Sequence, residues 1–423
     1  MKFISDLHIH SRFSRATSKD LTLNNLEKYA RIKGINLLGT GDFTHPLWLK
    51  ELKSELIDDG SGFLTTKTGF NFILQSELSL IYSQDGKGRR VHNILLAKSF
   101  DVVEQINESL LKKGRLDYDG RPIFGIPCPD FVEMMKSIDK DIEIIPAHIW
   151  TPWFSLFGSN SGFNSVEECF KDKSKHIHAL ETGLSSDPAM NWRLSQLDKF
   201  SLVSFSDLHS FWPWRIGREA TVFDIKLDYN SLIKALRTKE GITETIEVDP
   251  NYGKYHYDGH RLCNTCFSPQ ESIKNRDICP KCKKQLTIGV LHRVNELADR
   301  EEGYKPKGAV PFKSLIPLSE ILSAIISSPV ASKKVWGEYY KLVKAFGSEF
   351  KVMLDAPLEE LKKLTDEKIA HAIIDNREGK VKIKPGYDGV YGEPVFSEMA
   401  QAKEKKDEKV HLANRQKGLD EFY

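Results

Sequence analysis

Lys2-Phe3-Ile4-Ser5-Asp6-Leu7-His8-Ile9-His10-Ser11 opens as a short apolar strand and closes on two histidines. Side chains of an extended chain alternate with a period of two, so His8 and His10 point to the same side. Two imidazoles side by side at a strand end can grip one metal ion, and Asp6 stands where it could accept the outer N–H of a ring. A single His-x-His is weak, because chance core or surface histidines are about as common. Its weight depends on what the other strands carry.

The same ending recurs down the chain. The strand Ile35–Thr40 runs into Gly41-Asp42, Phe72–Ser76 into Glu77, Glu143–Ala147 into His148, His178–Leu180 into Glu181, and Ser201–Ser206 into Asp207-Leu208-His209. Between the first two strands Leu23, Leu26 and Ala30 share one helix face, with Gly34 as the stop. Val91–Ala97 forms a further strand, joined to its predecessor by a Gln84-Asp85-Gly86 turn. Alternating strand and helix over residues 1–250 predict an α/β barrel, and parallel strand ends gather at one mouth. Randomly scattered core histidines would not keep choosing that end, so a shared metal site is expected there.

A chain of 423 residues holds two or three domains. Its net charge of +2 gives no global basic field, so nucleic-acid binding requires a local patch. No signal peptide and no membrane-length apolar run stand out, and a monomer in the cytoplasm is expected. Of the six cysteines, four fall in one small region, the usage of a reducing compartment that binds metal through thiolates. Cys128 and Cys169 are left over as plain thiols.

Asp6-Leu7-His8-Ile9-His10-Ser11, Gly41-Asp42, Glu77, Ala147-His148 and Asp207-Leu208-His209 together resemble the polymerase-and-histidinol-phosphatase (PHP) superfamily. The resemblance implies a distorted PHP-type β/α barrel with two or three divalent metals (Zn2+, Mn2+ or Mg2+) that hydrolyses phosphoesters. By position it gives ligand roles to His8, His10, Glu77, His148, Asp207 and His209, with Asp207, His8, His10 and Glu77 as the catalytic group. Many members carry Asp-His after the second strand, where this chain has Asp42-Phe43. Asp42 or nearby His45 is the expected substitute, and His92 and Glu181 complete the candidate ligands. His92 precedes its apolar strand instead of ending it. Such ligands suit zinc or manganese, and a water bridged between cations needs no side-chain nucleophile to attack phosphorus.

Cys263-Asn264-Thr265-Cys266 and Cys279-Pro280-Lys281-Cys282 read as a closed structural Zn2+ site within residues 251–300. Lys274, Arg276, Lys281, Lys283 and Lys284 crowd it, as in ribbons that touch a phosphate backbone. Amphipathic helices over Leu318–Ile326, Val335–Phe346 and Leu358–Ile374 make residues 301–396 a helical DNA-binding region. Residues 397–423 read as a flexible, disordered tail. It ends in Gln416-Lys417-Gly418-Leu419-Asp420-Glu421-Phe422-Tyr423, which resembles the peptide by which partners dock on the PCNA sliding clamp. One helical turn puts Leu419, Phe422 and Tyr423 on a common face, with Gln416 hydrogen-bonding beside it.

The order of barrel, ribbon, helices and clamp peptide resembles the endonuclease Q family of repair nucleases. That resemblance implies an archaeal, nucleoid-associated enzyme that cuts DNA 5′ to a deaminated base (uracil, hypoxanthine or xanthine) or an abasic site. Inspecting a base requires flipping it out of the helix, at a cost of a few kcal/mol that is least at a mismatch. Trp153 and Phe154 beyond His148, and Trp212 and Trp214 beyond His209, are candidates for stacking on the base. Arg215 and Arg218 are candidate phosphate clamps. The rival readings are a PHP-type exonuclease, a small-molecule phosphatase of the histidinol-phosphate type, and a non-catalytic clamp- and DNA-binding scaffold.

Overall fold

In the computed structural model, which describes residues 1–395, Lys2–Asp6 is the hub of an 11-stranded sheet. It pairs in parallel with Leu37–Gly39, which pairs in parallel with Asn71–Gln84. On its other side it runs antiparallel to Ala220–Asp224. Beyond that strand lie Ile242–Glu247 and then Phe312–Ser314, contributed from after the cysteine region. Ala179–Glu181 and Ser201–Val203 form a separate parallel pair. A bridge between Ile9 and Leu208 brings the chain after Val203 back beside the first strand and closes the barrel.

The barrel is distorted by one long hairpin. Asn71–Gln84 and Lys87–Ala97 are antiparallel over eleven paired positions, from Leu74–Ala97 to Gln84–Lys87. Glu143–Pro146 is antiparallel in turn to Lys87–Ala97, which restores the common direction. The expectation of strands all leaving at one mouth is corrected here. Because Lys87–Ala97 runs backwards, its first half lies at the mouth, and His92 reaches the site from ahead of the apolar segment.

One apolar cluster draws on nearly every barrel strand, through Phe3, Leu37, Ile73, Ile94, Ile145 and Ala179 among others, and the helix Tyr229–Thr238 packs into it. A larger cluster covers the outside and continues into the C-terminal helices. The helix expected over Leu358–Ile374 is two, Leu358–Leu364 and Glu367–Arg377. Asp366 breaks the run because its carboxylate caps the second helix at the Lys368 N–H.

Lys33 and Glu349 tie barrel to helices. Both are almost fully buried at 2.7 Å, and Glu349 also accepts from Leu318 N–H and the Tyr339 hydroxyl. Trp212 and Trp214, stacked at 5.3 Å, lie against Trp336 of the helix Lys333–Phe346. Among the described residues no helix is long and apolar enough to cross a membrane. The tail from 397, with Gln416, Leu419, Phe422 and Tyr423, lies outside the described residues.

Candidate metal centre and adjoining cavity

Three strand ends at the mouth leave ordinary backbone geometry. Asp42, His148 and Asp207 have φ of 44°, 32° and 46°, a left-handed region that non-glycine residues rarely adopt. Each turns a side chain back over the barrel, and strain of this kind collects at functional sites. The neighbours are shaped to match. A Cβ at Gly183 would come within 2.7 Å of the His148 Cβ, and one at Gly120 within 2.3 Å of an Asp42 oxygen.

Glu77 lies at the middle of the constellation. Its Oε2 is 3.1 Å from His10 Nε2 and 3.5 Å from His8 Nε2, and Asp207 Oδ1 is 3.2 Å and 3.7 Å from the same nitrogens. Its Oε1 is 2.7 Å from His92 Nδ1 and 3.2 Å from His148 Nε2. Two groups able to hold a metal therefore share one carboxylate: His8, His10, Glu77 and Asp207 on one side, Glu77, His92 and His148 on the other.

The rings are fixed from behind. His8 Nδ1 lies 2.9 and 3.0 Å from the two oxygens of Glu181, which also accepts the His148 backbone N–H at 2.6 Å. His10 Nδ1 lies 3.0 Å from Asp42, whose other oxygen accepts from Ser11 N–H, the Ser11 hydroxyl and the Ser14 hydroxyl. A carboxylate can only accept, so each ring carries its proton there and turns Nε2 to the centre.

Several sequence candidates are placed differently by these contacts. Asp42 and Glu181 support the rings instead of facing the centre. Asp6 orients no ring, since it accepts the backbone N–H groups of Ser206 and Gly217. His45 is stacked on Phe13 at 4.4 Å, away from the centre. His209 stays at the rim, its Nδ1 3.0 Å from the Asp207 carbonyl and its ring 4.8 Å from that of His10.

The electrostatics ask for a cation. Burial works against charge on His8 and His10. Even so, Glu181, Glu77 and Asp207 hold His8 well above its ordinary pKa, and Asp42, Asp207 and Glu77 do the same for His10. Burial also opposes ionisation of Glu77 and Asp207, yet His92 and Arg121 around the first and His209 and His8 around the second hold both well below the carboxylate range. Burial pushes His92 down to about 4, the neutral state in which imidazole ligates. His8 Nε2, His10 Nε2 and Asp207 Oδ1 are buried without hydrogen-bond partners. Orphaned atoms of these types, converging within 4.8 Å of one another, fit divalent ions.

A cavity of about 350 Å³ opens beside the centre, lined by His92, His148 and Asp207 and by Trp153, Phe154 and Tyr255. Trp153 and Phe154 are thus at the mouth, whereas Trp212 and Trp214 are spent on Trp336. Arg218 is buried and donates twice to the Ser206 carbonyl, and Arg215 lies over the Tyr391 ring at 5.4 Å. Arg121, which donates to Glu77 at 3.0 Å, went unnoticed in the sequence because it sits in no motif and at no strand end, and Tyr255, within the segment 253–261 ahead of the cysteines, was given no role at the site.

In the ribbon the structure gathers His260, Cys263, Cys279 and Cys282, with Cys266 outside the group. Asp258–His260 and Thr265–Phe267 form a hairpin in which His260 faces Thr265. The Thr265 hydroxyl is 3.6 Å from Cys279 Sγ, so alternation turns Cys266 to the other face. Cys282 Sγ lies 3.5 Å from His260 Nδ1. All six cysteines are free of disulfides, and Cys128 and Cys169 are buried.

A family model described as the MJ0043 C-terminal domain matches residues 317–380. The Methanocaldococcus jannaschii protein MJ0043 is 34% identical over 297 residues, and the match spans 68% of this chain but only 35% of that protein. Bacillus subtilis YqxK is 31% identical over 92% of this chain and 98% of its own length. The crystal structure of the lesion-specific endonuclease PfuEndoQ from Pyrococcus furiosus is 33% identical, with a TM-score of 0.83 over 93% of this chain and 95% of that one. An endonuclease Q in complex with a 27-mer duplex, with an abasic lesion at its active site, is also 33% identical, with a TM-score of 0.85 over 94% and 98%.

Proposed function

The chain belongs to the endonuclease Q family, and from that premise we propose that it is a metal-dependent DNA endonuclease that nicks one strand beside a damaged nucleotide. The observation that carries the reading is the Glu77 carboxylate, on which two sets of buried ligands converge next to an aromatic cavity. The substrates are duplexes carrying an abasic site or a deaminated base: uracil, hypoxanthine or xanthine. The cut falls 5′ to the lesion and leaves a 3′-hydroxyl and a 5′-phosphate.

His8, His10, Glu77, Asp207, His92 and His148 would hold two or three divalent cations, zinc, manganese or magnesium. Bound there, the cations supply a water of lowered pKa and offset charge gathering on the phosphate oxygens. Glu181 and Asp42 keep the Nε2 atoms of His8 and His10 aimed inward. Trp153, Phe154 and Tyr255 offer the flipped nucleotide apolar faces in place of its lost stacking. A closed Zn2+ site at His260, Cys263, Cys279 and Cys282 stiffens the ribbon, whose exposed Lys274, Arg276, Lys283 and Lys284 face solvent for a phosphate backbone. Through Gln416, Leu419, Phe422 and Tyr423 the protein docks on PCNA and works at the nucleoid.

The test is one incubation with Mn2+ of end-labelled duplexes that differ only in bearing uracil, hypoxanthine, an abasic site or no lesion. A single internal nick with a 3′-hydroxyl, confined to the lesion-bearing strands, is expected. Laddering from an end would instead make the protein an exonuclease. Binding without cleavage would make it a scaffold, and phosphate release from small esters alone a phosphatase.

A further inference from the structure

Arg121 is a permanent cation in hydrogen-bond contact with the ligand set, and its Nη1 donates to Glu77 Oε2 at 3.0 Å. Glu77 is the one side chain its guanidinium hydrogen-bonds among the described residues, and its side chain is 25% exposed at the mouth. Most of a five-donor fork is thus left without protein partners beside Glu77 and Asp207. A guanidinium serving only as counter-charge to a fully buried carboxylate gains nothing from that exposure.

The loop that carries Arg121 is pinned on both sides of it, at Asp119 and Gly120 before and at Pro122 after. Asp119 is 4% exposed, and its Oδ1 accepts the backbone N–H groups of both Arg15 and Arg121. Gly120 donates to the Phe13 carbonyl and accepts from the Thr44 hydroxyl, and its missing Cβ makes room for Asp42, the support of His10. Pro122 accepts from the Ser79 N–H, two residues along the strand from Glu77. Arg121 is therefore held in place by the same elements that hold the ligands, the preorganisation a catalytic group requires.

We propose that Arg121 is a catalytic residue that binds the non-bridging oxygens of the phosphate under attack. The inference rests on the nuclease reading above and adds a residue to it. A guanidinium fork matches phosphate oxygens in pairs, and a rigid cation aimed where charge grows in the transition state needs no reorganisation as the reaction proceeds.

The experiment compares full-length wild type, Arg121→Lys, Arg121→Gln and Arg121→Gly on an abasic-site duplex under single-turnover conditions. Metal content by mass spectrometry and duplex affinity are measured on the same samples. Cleavage by Arg121→Gln is expected to slow on the order of 100-fold. Metal content should be unchanged, affinity should move by no more than about 3-fold, and added guanidinium should restore part of the Arg121→Gly rate. Arg121→Lys should recover less than full activity, since an ammonium lacks the fork. Metal loss in step with rate would overturn the proposal and make Arg121 a positioning residue for Glu77, and so would full-rate cleavage by Arg121→Gln. A wild type inactive on every lesion overturns the nuclease reading along with it, whereas an active wild type with active variants overturns Arg121 alone.

Discussion

Glu181→Gln tests whether the centre depends on what stands behind its ligands. Glu181 receives the His8 ring on both oxygens and the His148 backbone N–H on one. Glutamine has nearly the same shape but only one accepting oxygen. If that oxygen stays on the His148 N–H it is still 3.0 Å from His8 Nδ1, but the amide NH2 takes the 2.9 Å place and opposes a proton on Nδ1, favouring the tautomer that carries it on the Nε2 that should point inward. If it turns to His8, the left-handed turn at His148 loses its N–H partner. Either orientation damages one of the two ligand groups. Losing such a support costs roughly 10- to 100-fold in metal affinity, which converts to about 1.4–2.7 kcal/mol. The assay is a Mn2+ or Zn2+ titration against a chromophoric chelator on wild type and variant, with unfolding measured alongside. Metal affinity within twofold of wild type in a folded Glu181→Gln protein would refute the reasoning.

In the ribbon, His260→Ala should lose zinc to a chelator faster than wild type while Cys266→Ser keeps it; the opposite pattern in metal analysis would restore a four-cysteine site. Lys33→Met leaves the Glu349 carboxylate buried without its cation, at a cost of about 3–5 kcal/mol. Adding Glu349→Gln should recover part of that in urea unfolding, because the amide still serves Leu318 and Tyr339. Burial, against the hydroxyls of Thr245, Ser204 and Thr182, pushes the Glu247 carboxyl up to about 7. Its stabilising neutral form is therefore fully present below the unfolded value near 4.5 and is lost as pH rises through 7. Glu247→Gln keeps the acceptor for Thr182 and Ser204 but never ionises. Its stability advantage over wild type should grow from under about 1 kcal/mol at pH 5 to about 3 kcal/mol at pH 8, and parallel pH–stability curves would contradict it.

His8, His10, His148 and Asp207 were legible because strand-end placement depends on local pattern, and local pattern survives in sequence. Glu77, expected just past a strand end, lies inside Asn71–Gln84, because the strand continues through it to pair with Lys87–Ala97. Whether a residue of the same chemistry faces the centre or backs a ring depends on a turn of the backbone. Sequence therefore does not separate Asp42 from Asp207, both left-handed carboxylates after a strand. His92 defied reading because strand direction is a tertiary fact. A doubled C-x-x-C spacing hid His260, since the hairpin register decides which side of Thr265 faces the sulfurs. Trp212 and Trp214 have the composition of a base-stacking platform, but a helix more than a hundred residues later claims them. Arg121 belongs to a loop whose order comes from partners in three other segments.

The eleven-pair hairpin from Asn71 to Ala97 carries Glu77 and His92 on facing arms. A one-residue slip of either arm would turn that arm's ligand to the outer face and leave the other without it, so this half of the centre depends on register as much as on residue identity. Natural insertions and deletions should accordingly accumulate at the Gln84–Lys87 tip, where added length leaves the arms aligned. A single-residue change within either arm should be purged, even one that spares every functional side chain.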